Sequence, residues 1–398
     1  MEHQLINVLL IEDNPGDTRL IRELLKEAKG VPTGLVCADR LSSGIELLLK
    51  GGVDVILLDL SLPDSKGFDT FAKVHTHAKD LPVIVLTGFD DEELAMKAVR
   101  EGAQDYMAKG AVNSQSLMRA VRFAVERGRK MANGADTRRR TSPGKILGFL
   151  APNGGAGATT VALNTAAILA QLPKTVVALE PRAFGGSFSL QTQQTPARNL
   201  RYLLDLEAEQ ITAEEVQKCL VALPSGVNAI FAPQKADEFR EVQPAQAEAI
   251  ISAAAQLADY VVVDLASDPS AVNQAVAGKC DHLILVVERS LSCVAAGART
   301  VQLLRHWGIA DRSVSAAIII KDSLGSFLSP SDLEERLGCS IAGVVPPAAE
   351  LCVRSIRTGT PFALLEPDNI ATESLMSLAK KLAEPALRTA YSRAFQTV

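Results

Sequence analysis

Five side chains in the first third of the chain have the types and spacing of a phosphoryl-accepting pocket. Glu12 and Asp13 follow the apolar run VLLI, Asp59 closes VILLD, Thr87 closes VIVL and Lys109 follows the short apolar DYM. Three acids meeting at one edge repel each other. A hard divalent cation such as magnesium relieves this, because it takes carboxylate oxygens and keeps waters for an incoming phosphoryl group. Lys109 then neutralises that group, the Thr87 hydroxyl hydrogen-bonds it, and Asp59 is the nucleophile. Any one acid after a strand reads as a helix cap; five suitable types on four successive strand ends read as a site.

A second stretch, NGGAGATT at 153–160, lies between the apolar KILGFL and the helical VALNTAAILAQL. Strand, glycine-rich turn and helix is the order in which backbone amides cradle phosphate. Where such a loop carries lysine, this one has Ala158.

Both stretches need strands to hold them. Short β-branched runs alternate with longer amphipathic segments: VLLIE, VILLD and VIVLTG, then ILGFLA, TVVALE, YVVVDLA, HLILVVE and SAAIII. Continuous apolar strands separated by helices imply parallel sheets covered on both faces. Residues at the carboxyl ends of such strands converge, which is where Glu12, Asp59, Thr87 and the 153–160 loop fall. The fold class is therefore α/β, with two doubly wound parallel-sheet domains.

The boundary is visible in composition. Residues 127–145, RGRKMANGADTRRRTSPGK, carry seven basic side chains among Gly, Asn, Ser and Pro with no apolar period, the mark of an exposed linker. A basic flexible linker over 128–144 thus separates residues 1–127 from 145–398. A length of 398 residues suits two or three domains. No apolar run approaches the roughly 18–20 residues of a membrane span, and MEHQLINVLLIEDN lacks the basic flank and cleavage site of a signal peptide. Six scattered cysteines without a CxxC pair read as reduced thiols of a cytoplasmic protein. A net charge of −5 gives no general attraction to nucleic acid or anionic membrane.

Residues 5–127 resemble a response-regulator receiver domain, a flavodoxin-like fold, through IED at 11–13, LLDLSLPD at 57–64, VLTG at 85–88 and DYMAK at 105–109. The resemblance implies that Asp59 takes phosphate from a histidine kinase or phosphotransfer protein and that Glu12, Asp13 and Asp59 hold magnesium. It also implies that Thr87 and Tyr106 report phosphorylation to the outer face. Gly110 stands where the family has proline.

Residues 145–366 resemble the deviant P-loop ATPases of the MinD/ParA superfamily, and within it the pilus-assembly branch called CpaE or TadZ. The resemblance runs from APNGGAGATT through TVVALEPRAFGGSFSL and YVVVDLA to GVVPPAAELCVRSIRTGTPF. It implies an ATP or ADP site at Gly154, Gly155, Gly157, Ala158, Thr159, Thr160, Glu180 and Asp264. Of these, the three glycines, both threonines and Asp264 match the family. Asn153 and Ala158 replace its two lysines, Glu180 and Arg182 replace a D-x-D pair, and Lys321 replaces an adenine-reading asparagine. One lost lysine–phosphate contact is worth roughly 1.5–3 kcal/mol, so binding is weakened about 10- to 150-fold. Hydrolysis suffers more, because stabilising phosphate charge is most of that catalysis. Arg182 is a candidate substitute cation.

Residues 386–398 place Leu387, Tyr391, Ala394, Phe395 and Val398 on one helical stripe suited to packing against the domain or a partner. The sequence reads as a response regulator whose phosphorylation at Asp59 controls a degenerate localisation or assembly domain. The protein would form a homodimer, through either domain, and meet pilus or secretion proteins, with any polar or membrane association coming through them. The competing reading is a phosphorylation-gated, active ATPase of the same superfamily.

Overall fold

The computed structural model describes residues 5–27, 32–78, 81–88, 98, 102–103, 105–114, 117–118, 120–122, 124–125, 142–172, 174–196, 198–321 and 328–383. The chain divides into two compact units, Met1–Asp136 and Thr137–Val398. Most of the expected linker, including Arg138, Arg139 and Arg140, lies outside the described residues, as does the stripe at 386–398.

The first unit is a five-stranded parallel sheet built from β1 (Ile6–Ile11), β2 (Thr33–Ala38), β3 (Val55–Asp59), β4 (Val83–Thr87) and β5 (Asp105–Ala108), in the order β2-β1-β3-β4-β5. Every residue of β3 and β4 is buried, which requires cover on both faces. One face packs Leu9, Ile11, Leu58 and Val85 with Leu41 of α2 (Leu41–Lys50) and Val74 of α3 (Phe68–His77). The other packs Val8, Leu10 and Leu57 with Leu25 of α1 (Pro15–Glu27) and with Leu117, Val121 and Val125. From β1 the chain turns to β2 on one side and then to β3 on the other. The crevice at this reversal opens beyond the carboxyl ends of β1 and β3, where Glu12 and Asp59 stand.

The second unit holds an eight-stranded sheet: β6 (Lys145–Leu150), β7 (Val176–Leu179), β8 (Val221–Ala222), β9 (Asn228–Ile230), β10 (Tyr260–Asp264), β11 (His282–Glu288), β12 (Val314–Ile319) and β13 (Ser340–Val345). Its order is β8-β9-β7-β10-β6-β11-β12-β13, parallel throughout except for the β8–β9 pair at one edge. Beneath it runs α4 (Ala158–Ala170), buried from Val161 to Ala167, an apolar cylinder suited to the interior. Within α4, Asn164 donates to Thr160 O at 2.8 Å and accepts from Ala363 N at 2.9 Å, so a buried amide pins the short helix Phe362–Leu365 against it.

All eight runs read as strands in the sequence form strands. The segments without such a signal, β2, β8, β9 and β13, gather toward the sheet margins. A marginal strand is covered less completely and needs no continuous apolar run: β2 and β13 are mostly half-exposed, whereas β10 is buried throughout. Among the described residues, no helix is long and apolar enough to cross a membrane. All six cysteines are free thiols.

Gly144 marks the entry to β6, donating its N–H to Ala255 O at 2.7 Å. A Cβ at this position would lie 1.9 Å from Ala258 O, a backbone atom, whereas one at Gly154 would meet nothing within 4 Å. Overpacking of this kind costs about 1–3 kcal/mol. Gly144→Ala should therefore lower the denaturant midpoint followed by the single tryptophan, Trp307, while Gly154→Ala should leave it unchanged.

Candidate functional site

In the first unit the chain brings three carboxylates to one ammonium, with a fourth alongside. Lys109 begins a 3-10 turn just after β5. Its Nζ lies 2.6 Å from Glu12 Oε2, 2.8 Å from Asp59 Oδ2 and 3.0 Å from Asp17 Oδ2. Glu12 and Asp59 are buried, and Asp13, the fourth, is exposed beside them. Burial alone would lower the Lys109 pKa, but its bonds to Asp59, Glu12 and Asp17 hold it above the usual lysine range. Burial pushes Glu12 up to about 7 against the pull of Lys109.

The local sequence explains the convergence. Asn14 Oδ1 accepts from Gly16 N at 2.8 Å, and Asn14 N donates to Glu12 Oε1 at 3.1 Å. The chain thereby folds back so that Asp17, in the first turn of α1, faces the strand ends. Ser61 N donates to Asp59 Oδ1 at 3.1 Å. Asp64, in the nearby LPD turn, accepts from Leu41 N at 2.8 Å and Ser42 N at 2.9 Å; the Ser42 amide leads in lowering its pKa to about 2. The turn after the candidate phosphoacceptor is therefore tied to the start of α2.

Glu12, Asp13 and Asp59 each offer an oxygen, and these lie within 4.8 Å of one another. An octahedral magnesium ion holds its oxygens at about 2.1 Å, hence at most about 4.2 Å apart, a small side-chain rotation away. Glu12 Oε2 is buried and, beyond its ion pair, accepts no hydrogen bond. An all-carboxylate donor set with one such oxygen fits a hard divalent ion, and exposed Asp13 gives it a way in.

Thr87 is buried at the end of β4, in register with Ala108 of β5. Tyr106 is in register with Val85, two positions back on the same pair of strands, and is half-buried. Gly110 lies within the turn that begins at Lys109. Asp17 is the member of this group that sequence reading missed; its signal was an acid at the start of a helix, five residues after Glu12.

In the second unit, residues 151–157 form a loop from β6 into α4. Gly155 and Gly157 have φ of +84° and +105°, conformations natural to glycine. Gly154 and Gly155 are exposed, and Gly157, Ala158, Thr159 and Thr160 are half-exposed. Gln191 Nε2 donates to Thr160 Oγ1 at 3.4 Å.

Four charged side chains, Asp264, Arg182, Glu180 and Lys321, set the electrostatics here. Asp264, fully buried at the end of β10, accepts at one oxygen, Oδ2, from Thr159 Oγ1 at 2.7 Å and from Arg182 Nη2 at 2.8 Å. Its other oxygen, Oδ1, is sealed from solvent with no hydrogen bond. Burial raises the Asp264 pKa. Glu180, also fully buried, accepts from Ser187 N at 2.8 Å and more weakly from Phe188 N and Ala232 N. Burial and then Asp264 push it up to about 7. Lys321 Nζ donates to Gly155 O at 2.8 Å and pairs with Glu288 at 2.7 Å.

These contacts differ from what the sequence suggested. Glu180, expected beside a nucleotide, caps the backbone at 187–188. Lys321, expected at an adenine position, holds the loop's own carbonyl. Arg182, the candidate substitute cation, pairs with the buried Asp264 carboxylate. Arg182 Nη2 occupies Asp264 Oδ2, the oxygen that also faces Thr159, so a magnesium ion does not fit there while the guanidinium stays. The signal for the Glu180 cap was FGG, since a Cβ at Gly186 would lie 1.9 Å from Glu180 Oε1.

With this geometry in view, the family model described as the response regulator receiver domain matches residues 8–122. An uncharacterised ATP-binding protein of Methanocaldococcus jannaschii is 24% identical over 237 residues, 58% of this chain and 84% of that one. The response regulator UvrY of Escherichia coli K12 is 29% identical over 131 residues, 32% of this chain; the match spans 58% of UvrY. Among solved structures, a ParA family ATPase from Chlorobium tepidum superposes with a TM-score of 0.54 at 20% identity, covering 60% of this chain and 98% of that one. The cell-division ATPase MinD of Pyrococcus furiosus gives 0.51 at 16% identity, covering 60% and 98%. The chain thus joins a receiver domain to a domain of the MinD/ParA fold.

The buried Glu180 sets a pH dependence. Its pKa, about 7 in the fold against 4.5 ordinarily, means the native state holds a proton that the unfolded chain has released between those values. Stability is therefore lost as pH rises through that window, by about 3 kcal/mol in all. Denaturant midpoints followed at Trp307 should fall between pH 5 and pH 8, and Glu180→Gln should flatten the slope.

Proposed function

We propose that this chain is a response regulator whose Asp59 accepts a phosphoryl group and whose MinD/ParA-like domain is the controlled element. The observation that carries the reading is the clamp of Lys109 on Asp59, Glu12 and Asp17. It holds the buried nucleophilic carboxylate in place and puts a cation beside the incoming phosphoryl oxygens. Glu12, Asp13 and Asp59 would hold magnesium, which supplies charge neutralisation for the transferring group. The donor is a histidine kinase or phosphotransfer protein. Thr87, at the neighbouring strand end, would bond the new phosphoryl oxygen, and Tyr106 would carry the change outward along β5.

The second domain acts by binding rather than by hydrolysis. Ala158 brings no charge to the loop, and Arg182 neutralises the carboxylate that would serve a metal. In the CpaE/TadZ-like reading its partners belong to a pilus or related secretion apparatus, and it works as a homodimer. A second reading, nucleotide binding, draws support from the ATP-binding name of the archaeal relative and from the exposed glycine loop.

Incubation with radiolabelled acetyl phosphate and magnesium should label the chain at one residue. Asp59→Asn should abolish the label and Lys109→Ala should reduce it severalfold; a label that survives Asp59→Asn defeats the phosphoacceptor assignment. Size exclusion with light scattering should show a change of mass or shape on phosphorylation, with no phosphate released from ATP.

A further inference from the structure

The MinD/ParA-like domain carries a cation of its own where its fold would otherwise recruit one. We propose that Arg182 takes the place of the divalent ion at Asp264, so that the domain is clamped without metal and any phosphate-bearing ligand at residues 153–160 binds without magnesium.

Three observations carry this. First, both donors converge on the same oxygen: Thr159 Oγ1 and Arg182 Nη2 reach Asp264 Oδ2 at 2.7 and 2.8 Å. A hydroxyl at the first turn of α4 and a carboxylate at the end of β10 are the two groups a bound ion would bridge, and here the guanidinium joins them. Second, the oxygen that faces Thr159 is already taken: Asp264 Oδ2 has two donors. Third, the arginine is held by its strand. Arg182 N donates to Glu180 O at 2.8 Å, Arg182 Nη2 also reaches Leu265 O at 3.4 Å, and the Glu180 carboxylate is anchored on Ser187 N.

The clamp therefore links the loops after β7 and β10 to the start of α4, the three segments that surround a phosphate in such a fold. A resident arginine cannot leave as a dissociable ion can. The domain then signals through its partners and not through metal-nucleotide exchange. This inference is independent of the assignment at Asp59.

The test counts bound Mn2+ by electron paramagnetic resonance on the full chain without nucleotide. Wild type should bind one ion, in the receiver unit, and Asp264→Asn should leave that count unchanged. Arg182→Asp, which exchanges the guanidinium for a carboxylate, should bind a second ion and melt at a higher temperature with Mn2+ than without. Adding Asp264→Asn to it should remove that ion. Arg182→Gln, neutral and of similar reach, serves if the aspartate variant does not fold, with circular dichroism as the check. The proposal is overturned if wild type already binds a second ion that Asp264→Asn removes, or if a folded Arg182 variant stays at the wild-type count. A wild type binding no ion, with one gained on replacing Arg182, would leave the inference standing and instead count against the receiver's magnesium site.

Discussion

A carboxylate buried at the end of a parallel strand stays charged only if something positive shares its burial. The ionised form loses hydration that protein dipoles replace incompletely, and this chain meets the difficulty in both of its units. In the first, Lys109 gathers Glu12, Asp17 and Asp59. In the second, Arg182 meets Asp264, while Glu180 falls back on backbone amides. The two cations differ as their chemistry allows. An ammonium on a flexible stem can release one carboxylate when a phosphoryl group or metal arrives, whereas a planar guanidinium on a fixed oxygen is suited to staying where it is.

Topology explains why the same difficulty appears twice. Doubly wound sheets carry their loops at the carboxyl edge, and reversals in strand order open crevices there. In the first sheet β1 and β3 are neighbours, so acids far apart in sequence, Glu12 and Asp59, end side by side, within reach of Lys109 from the end of β5. In the second, β10 lies between β7 and β6, so the segment leaving β7 must pass the end of β10 to reach the loop after β6. Arg182 sits on that path. The strands supply the reach; the residue type at the strand end decides whether the result is a reactive pocket or a closed clamp.

Much of this was legible in the sequence, because buried parallel strands are written as unbroken apolar runs and their last residues are the ones delivered to the carboxyl edge. VILLD and YVVVD each named both a strand and the acid it delivers. Marginal strands such as TGLVCA were harder to see because partial cover relaxes the apolar pattern. Side-chain partners were hardest. Nothing in the spacing of Glu180 and Arg182 says that the first turns back to amides at 187 and 188 while the second crosses to Asp264. That division depends on the glycines of FGG, which let the backbone close over a carboxylate, and on a three-dimensional neighbour more than eighty residues away.

The packing of Gly186 against Glu180 has a consequence for how such a domain can change by mutation. With a Cβ placed 1.9 Å from a carboxylate oxygen, neither position is free to vary alone. A side chain at 186 would evict the acid from its cap and leave amide groups at 187 and 188 without their acceptor; a longer residue at 180 would press on the glycine. The two positions are therefore epistatic, and a shorter acid at 180 would have to leave those amides to another acceptor. Because Arg182 hangs from the same turn, changing the charge at the end of β10 would require coordinated replacements.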